Sequence, residues 1–354
     1  MNTEKDPSTD KKPSEVSASV IIPAYSVARW NQLIRAVDSV LAQESPAAEL
    51  ILCIDHNAQL LEMCHERWTG ATQSIPIRII ANRFSQDHLD AGVHQRAHGS
   101  KRRFGAGWAR NTGAEIARGD VLVFLDDDAW AEPNWLSRLL KPFRESRTVA
   151  VGGAPVPEYE TVRPTWFPPN FDWVFGCVYA GMPTELGPLA HLIGANMSVR
   201  RNAFKKIGGF HSIDFDDLDL CMRVAAEYPE RQVLYEPEAI VHHFVPAERV
   251  EWRYFCRRCF FVNREKVVAF AEMGPAANLS AEMAFVRRAL TVQFRSAIGE
   301  VLQGRSQAVT QLIAMLTGIA LAGLGNLAGR LNLRRHKLGK SKRNYGLDSV
   351  EPRS

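Results

Sequence analysis

The sequence predicts an α/β protein: a doubly wound, mostly parallel sheet, with a mixed second half and helices at its C-terminal end. Three observations carry this expectation. Short β-branched and aliphatic runs alternate with segments of helical period over residues 19–143. Two of these runs end directly in aspartate, at Asp55 and at Asp126-Asp127-Asp128. From residue 149, prolines and aromatics break the alternation, and residues 306–329 then carry no charge at all.

In chain order, Ser19–Ile22 is an apolar run closed by Pro23 and reads as a buried strand. Arg29–Gln43 sets Leu33, Ile34, Val37, Val40 and Leu41 at helical spacing. Leu50–Ile54 is a second buried strand, Gln59–Trp68 a helix and Ile77–Ile80 a third strand. Residues 82–104 lack periodicity and carry Arg83, Arg96, Lys101, Arg102 and Arg103, which predicts a long basic loop. Gly107–Ala117 is a helix, Val121–Leu125 a fourth buried strand and Pro133–Phe143 another helix. Parallel sheets of this kind bind ligands at the carboxyl ends of their strands, where Asp55 and Asp126–Asp128 lie. Beyond Val149 the pattern predicts mixed strands and loops, with helices at Arg200–Ile207 and Asp217–Glu227. Short strands follow at Gln232–Tyr235 and Ile240–His243, then a basic, aromatic helix at Val250–Ala271.

Composition sets bounds on this reading. Over 354 residues, 46% are apolar and 23% charged, which excludes wholesale disorder. A mean hydropathy of −0.18 excludes a protein made mostly of membrane helices. A net charge of +4 is too small to argue for nucleic acid, and none is expected as a partner. Of the six cysteines only Cys256 and Cys259 form a C-x-x-C, with no second pair to complete a zinc site. Residues 1–17 are polar and proline-bearing, without the apolar run of a secretory signal. A disordered tail and a reducing, cytoplasmic setting are therefore expected.

Three clusters carry chemistry. A buried strand that delivers Asp126, Asp127 and Asp128 to a loop needs something to neutralise them, and a hard divalent cation does so. Asp216, Asp217 and Asp219 open a helix, which exceeds what capping needs. Adjacent carboxylates raise one another's pKa and suit a general base, whereas Asp219 with Arg223 is a structural i,i+4 pair. In Ile240-Val241-His242-His243, strand alternation turns one imidazole inward, where it can complete a metal shell. Gly105-Ala106-Gly107 precedes a helix, but no Walker lysine follows, and no G-x-S-x-G elbow occurs.

Taken in order, these segments resemble the family 2 glycosyltransferases of the GT-A fold. The matching segments are Ser19–Tyr25, Ala109-Arg110-Asn111-Thr112-Gly113, Leu125–Asp128, Gly194–Arg200 with Ile207–Phe210, Asp216–Leu220, and Glu236–His243. The resemblance implies inverting transfer of a sugar from a nucleotide-sugar donor, UDP-linked as the commonest case, to an acceptor hydroxyl, with Mg²⁺ or Mn²⁺. Carried over, Pro23, Ala24, Tyr25 and Asp55 hold the base and ribose. Arg110 lies near the nucleotide or diphosphate, and Asp126 and Asp127 on the donor. Asp128 and His243 bind the metal. Asp217, with Asp216 beside it, is the base, and Asn196 lies in the acceptor-side segment; the aromatic segment from Trp166 to Trp173 is expected to help cover the acceptor. The family's two-acid ending of strand two is Asp55-His56 here, and its E-D pair is Asp216-Asp217. The expected organisation is a tail (1–17), a GT-A domain over 18–265 (nucleotide half 18–148, acceptor half 149–265), C-terminal helices (266–329) and a basic tail (330–354). A nucleotidyltransferase and an inactive nucleotide-sugar-binding subunit are the competing readings. The first lacks a basic glycine-rich loop after strand one, and the second has no need of a base.

Residues 306–329 are long enough to span a bilayer, but Gln311, Asn326 and four glycines dilute them, and Gly325-x-x-x-Gly329 favours close helix packing. Arg330–Arg343 adds seven Lys/Arg and no acid, which opposes a single crossing from the cytoplasm. The expectation is a helix in the interface or a re-entrant hairpin, assisted by a cationic helix at Met283–Leu302 and held on anionic lipid. A membrane-borne acceptor would suit this. The alternative is a helix pair packed on the domain or on another subunit.

Overall fold

The structure, a computed structural model, describes residues 16–70, 72–83, 105–211, 216–273, 298–299 and 306–344. Most of the expected basic loop, nearly all of Met283–Leu302 and the terminal tails lie outside the described residues.

The first half follows the alternation read from the sequence. Strands β1 (Ala18–Ala24), β2 (Glu49–Ile54) and β3 (Ile77–Ala81) are joined by helices α1 (Trp30–Leu41) and α2 (Ala58–Trp68). Helix α3 (Ala106–Ile116) leads into β4 (Val121–Leu125). Every residue of β1, β2 and β4 is buried, because helices cover both faces of the sheet. The four strands pair in parallel in the order β3-β2-β1-β4. The order reverses between β1 and β4, so the crevice outside their carboxyl ends is the place for a ligand.

The second half is mixed. Strands β5 (Ala129–Ala131), β6 (Thr148–Tyr159), β7 (Gly187–Pro188), β8 (Asn196–Arg200) and β9 (Gln232–Val245) extend the sheet. The path beyond β4 is β8-β6-β9-β5, and β7 adds to β9. Helices α4 (Trp135–Leu140), α5 (Arg201–Lys206) and α6 (Asp216–Glu227) pack around it. The two short strands expected at 232–235 and 240–243 are one continuous strand. Pro237 cannot donate to a ladder, yet the strand survives because residues 236–239 bulge opposite Gly153. A Cβ on Gly153 would lie 2.2 Å from the Ala239 carbonyl oxygen, so only glycine admits this approach.

Three apolar clusters hold the layers. One joins the sheet to α1, α2 and α4. A second, on the opposite face, is built on Phe124, Phe204 and Phe210 with α3, α5 and α6. The third lies off the sheet, between the 3-10 segment Pro169–Phe175, helix α7 (Trp252–Met273) and helix α8 (Ser306–Asn344). Helix α8 is one unbroken element of 39 residues, which replaces the re-entrant hairpin among the expectations. Its glycines lie where the sequence suggested close packing: a Cβ on Gly325 would come 2.2 Å from the Phe260 carbonyl oxygen.

Candidate active site

The carboxyl ends of β1, β2 and β4 bring the predicted residues to one edge. Pro23 and Ala24 are buried in β1, and the Ala24 carbonyl accepts from the Asp55 amide at 2.7 Å. Tyr25, one residue on, is 55% exposed with the Arg29 guanidinium over its ring. Asp55 ends β2 with both oxygens engaged: Oδ1 accepts from Asn82 Nδ2 and pairs with His56 Nδ1, each at 2.6 Å, and Oδ2 accepts from the Gly105 amide at 2.8 Å.

The turn from β4 to β5 carries the three acids. Because β5 pairs antiparallel with β9, Ala129 sits opposite His243, and the Phe244 amide donates to the Asp128 carbonyl at 2.8 Å. This pairing is what carries a histidine 115 positions away in sequence to the aspartates. His243 Nε2 lies 3.3 Å from Asp128 Oδ1. One donor atom each from Asp126, Asp128 and His243 fall within 4.8 Å of one another. The alternation argument holds here, since His243 is buried while His242 faces outward against Trp130 and Glu132.

The electrostatics are those of buried, tightly paired charges. Burial, with Asp128 alongside, pushes the Asp127 carboxyl up to about 7 despite the Arg29 contact at 2.8 Å. Burial also disfavours the charged form of Asp128, but His243 and Arg29 outweigh it and hold that carboxyl at about 2. His243 is buried, yet Asp128 and Cys177 raise its pKa well above the ordinary imidazole value. Asp127 Oδ2 is buried without a hydrogen-bond partner. Two carboxylates and one imidazole, converging beside the unpartnered Asp127 oxygen, are a donor set that fits a hard divalent cation.

A second acidic pair sits across Arg110. In α3 this arginine is 4% exposed, and its two Nη atoms donate to Asp126 Oδ1 at 2.6 Å and Asp216 Oδ2 at 2.7 Å. Its guanidinium thus joins the two clusters. Asp217, next in the first turn of α6, accepts from the Gly194 amide at 3.1 Å, and His191 Nε2 lies 3.5 Å from its Oδ1. Burial pushes the Asp216 carboxyl up to about 6 against the pull of Arg110. The rise expected of adjacent carboxylates falls on Asp216 and not on Asp217, where burial is outweighed by His191 and two backbone amides, which hold it at about 2.

Asn111 grips the turn after α5: its amide group donates to the Phe210 carbonyl and accepts from the Phe210 amide, both at 2.8 Å. Gly208 and Gly209 take φ of 80° and 76° there, the left-handed region that a side chain resists. Thr112 bonds Asn82, which bonds Asp55, so one helix turn braces three parts of the edge.

The three residues expected on the acceptor side make contacts within the fold. Asn196 is fully buried, accepting from Trp135 Nε1 at 2.8 Å and donating to the Ala239 carbonyl at 2.9 Å, so its amide ties strands together. Trp166 packs edge-on against Trp252 and Phe255, and Trp173 tilts against Phe171, which places both in the third cluster under α8. Proline breaks and aromatic density in this segment signal a docking surface for helices. Sequence reasoning missed Arg29 and His191. Arg29 lies five residues beyond β1, at the ligand edge by topology, and His191 lies three residues before Gly194. The Asp219–Arg223 pair is structural as expected, with Arg223 also donating to the Ile207 and Gly209 carbonyls.

The chain has informative relatives. The family model for glycosyl transferase family 2 matches residues 80–208. The glucosyl-dolichyl phosphate glucuronosyltransferase of Haloferax volcanii is 26% identical over 327 residues, spanning 89% of this chain and 97% of that protein. A succinoglycan biosynthesis protein of Rhizobium meliloti is 27% identical over 158 residues, 43% of this chain and 48% of its own length. Among solved structures, a mannosyltransferase from Pyrobaculum calidifontis in complex with GDP-Man and Mn²⁺ superposes with a TM-score of 0.56 at 17% identity, over 89% of this chain and 88% of that one. The shared architecture is the GT-A fold.

Proposed function

The chain belongs to family 2 of the glycosyltransferases, and from that premise we propose that it moves a sugar, with inversion, from a nucleotide-sugar donor to the hydroxyl of a lipid-linked acceptor. The observation that carries the proposal is the convergence of Asp126, Asp128 and His243 across Arg110 from the Asp216–Asp217 pair. One cluster suits a cation beside a diphosphate, and the other suits a proton acceptor. The relatives support the chemical class: one is named for transfer to a dolichyl-phosphate sugar, and one was solved with GDP-Man and Mn²⁺.

Asp126, Asp128 and His243 would hold Mg²⁺ or Mn²⁺, and the chemistry such an ion would supply there is positive charge beside the donor diphosphate. Tyr25, exposed at the end of β1, offers an aromatic face to the base, and the backbone of Pro23 and Ala24 forms the floor beneath it. Arg29, next to Asp127 and Asp128, adds a cation at the same edge. Asp217 takes the acceptor proton. Its carboxyl is ionised at neutral pH and held in place by the Gly194 amide, so it is fixed as a proton acceptor before the acceptor arrives. Asp216 is anchored on Arg110 and orients the pair. UDP is the donor nucleotide we favour.

A thermal-shift series with UDP- and GDP-sugars, each with and without Mn²⁺, tests the donor half, since a ligand that binds only the folded state raises its stability. A metal-dependent shift with one nucleotide class is expected, and no shift with any donor overturns the reading.

A further inference from the structure

Helix α8 has two unlike faces. One is made of small residues and is fully used: Gly318 lies against Phe171 and Phe255, Gly325 against the Phe260 carbonyl, and Gly329 against the Arg264 carbonyl and Val267. The opposite face is a ridge of Val309, Ile313, Leu316, Leu324, Leu327 and Leu331, each between 41% and 55% exposed. Steps of three, four and eight residues keep these side chains on one line, about 33 Å long at 1.5 Å per residue. Among the described residues twelve large apolar side chains are exposed, six on this ridge and two, Trp252 and Phe261, on its partner α7. Concentration of that kind marks an interaction surface.

The sequence names the partner. From Arg330 to Arg343 the same helix carries seven Lys/Arg and no acid. A second copy laid alongside in parallel would bring these like charges together, whereas an anionic bilayer attracts them, at about 1 kcal/mol per charge near the surface. A transmembrane path is opposed by the packing. To cross, α8 would either draw α7, with Arg264, Glu265 and Lys266, into hydrocarbon or leave it and uncover the face that Gly318, Gly325 and Gly329 now fit.

We infer that α8 lies flat in the interface of an anionic membrane, its aliphatic ridge at the acyl boundary and residues 330–343 among the headgroups. The placement bears on the active site through a single segment. Pro169–Phe175 sits under Gly318, and Cys177, two residues on, places its Sγ 3.5 Å from His243 Nδ1. The metal cluster is thereby tied to the element that meets the lipid. This deepens the proposed transfer to a lipid-linked acceptor and rests on it only for the purpose of docking.

The test is flotation of the full chain with vesicles of phosphatidylglycerol and phosphatidylcholine, or of phosphatidylcholine alone, with no donor or acceptor present. Binding to the anionic vesicles alone is expected, weakening as salt rises. In the triple variant Leu316→Ser, Leu324→Ser, Leu327→Ser, we expect binding to fall at least about tenfold. The melting temperature and the donor-induced thermal shift should be unchanged, because these side chains touch solvent. An epitope added after Ser354 should stay open to protease on the vesicles. Protection of the epitope would mean that the helix crosses, and overturns the inference. So would unchanged vesicle binding of the variant, whether accompanied by loss of a dimer in light scattering or by a lower melting temperature. Failure of any arm leaves the metal-site reading intact, because that reading is measured by donor shifts alone.

Discussion

The two acidic clusters are built from the same parts and arranged for different work. Each has adjacent aspartates, one arginine and one histidine. In each, burial drives one carboxyl up, Asp127 to about 7 and Asp216 to about 6, while its neighbour is held at about 2 by the histidine. The difference is where the donors point. On the β4–β5 turn, Asp126, Asp128 and His243 converge within 4.8 Å. On α6 the carboxylates diverge: Asp216 turns to Arg110 and Asp217 to His191 and the Gly194 amide. Convergence makes a cation site, and divergence leaves one carboxylate fixed and separate. Charge alone does not assign these roles, because the sequence shows three aspartates in each place.

The comparison is most sharply broken by Asp217→Asn. Transfer should fall about 10²–10⁴-fold, with donor binding and metal binding retained, as read by initial rates beside thermal shifts. If Asp216→Asn alone abolishes transfer while Asp217→Asn does not, the base is the wrong member of the pair. Next in size is Arg110→Met, which removes the link between the clusters and leaves two carboxylates facing each other. A loss of about 3–5 kcal/mol of folding stability is expected from denaturant melts. Near-wild-type stability would mean the clusters are independent. His243→Gln should weaken Mn²⁺ binding at least about tenfold by calorimetry and should also lower the metal-free melting temperature, because it removes the buried partner of Asp128. An equal effect of His191→Gln on Mn²⁺ would erase the distinction between the clusters.

The smallest effect is in pH. The folded-state pKa values of Asp127, Asp216 and His243 are raised, so the native chain binds more protons than the unfolded one. Stability then falls as pH rises, from about 4 through 7 for the acids and above 6.5 for the histidine. The metal-free protein should lose at least about 1.4 kcal/mol between pH 5 and pH 8, the worth of one pKa unit. Mn²⁺ competes with the proton on His243, so its stabilising shift should be larger at pH 8 than at pH 6. A flat profile in the absence of metal would show that the acids are already neutralised by Arg29 and Arg110.

Much of this was legible in the sequence, for identifiable reasons. The strands of the parallel half read clearly because burial on both faces leaves uninterrupted aliphatic runs. Asp55 and Asp126–Asp128 stood out because they terminate such runs. The helix Ala109–Gly113 could be recognised as a unit, but its meaning lay in contacts: Arg110 between acids, Asn111 on the Phe210 turn, Thr112 toward Asp55, and Gly113 against Ile21. Arg29 and His191 escaped notice because nothing local separates them from any surface cation or loop histidine. Their importance is set by strand order and by long-range pairing. Asn196 shows the same limit from the other side: an amide in a suggestive segment looks like a ligand contact, and its two buried partners, which brace the sheet, are visible only in the fold.

The segment Pro169–Phe175 has a practical consequence. Its Phe171 packs on Phe255 of α7 and against Gly318 of α8. Cutting the chain before residue 306 to obtain a tractable catalytic fragment would strip one wall from that cluster and leave Phe171 and Phe255 facing water. Such a truncate should precipitate or bind detergent even though every acid of the site is present. The C-terminal helix belongs to the interior as much as to the outside, and solubility must be engineered on its outer ridge instead of by its removal.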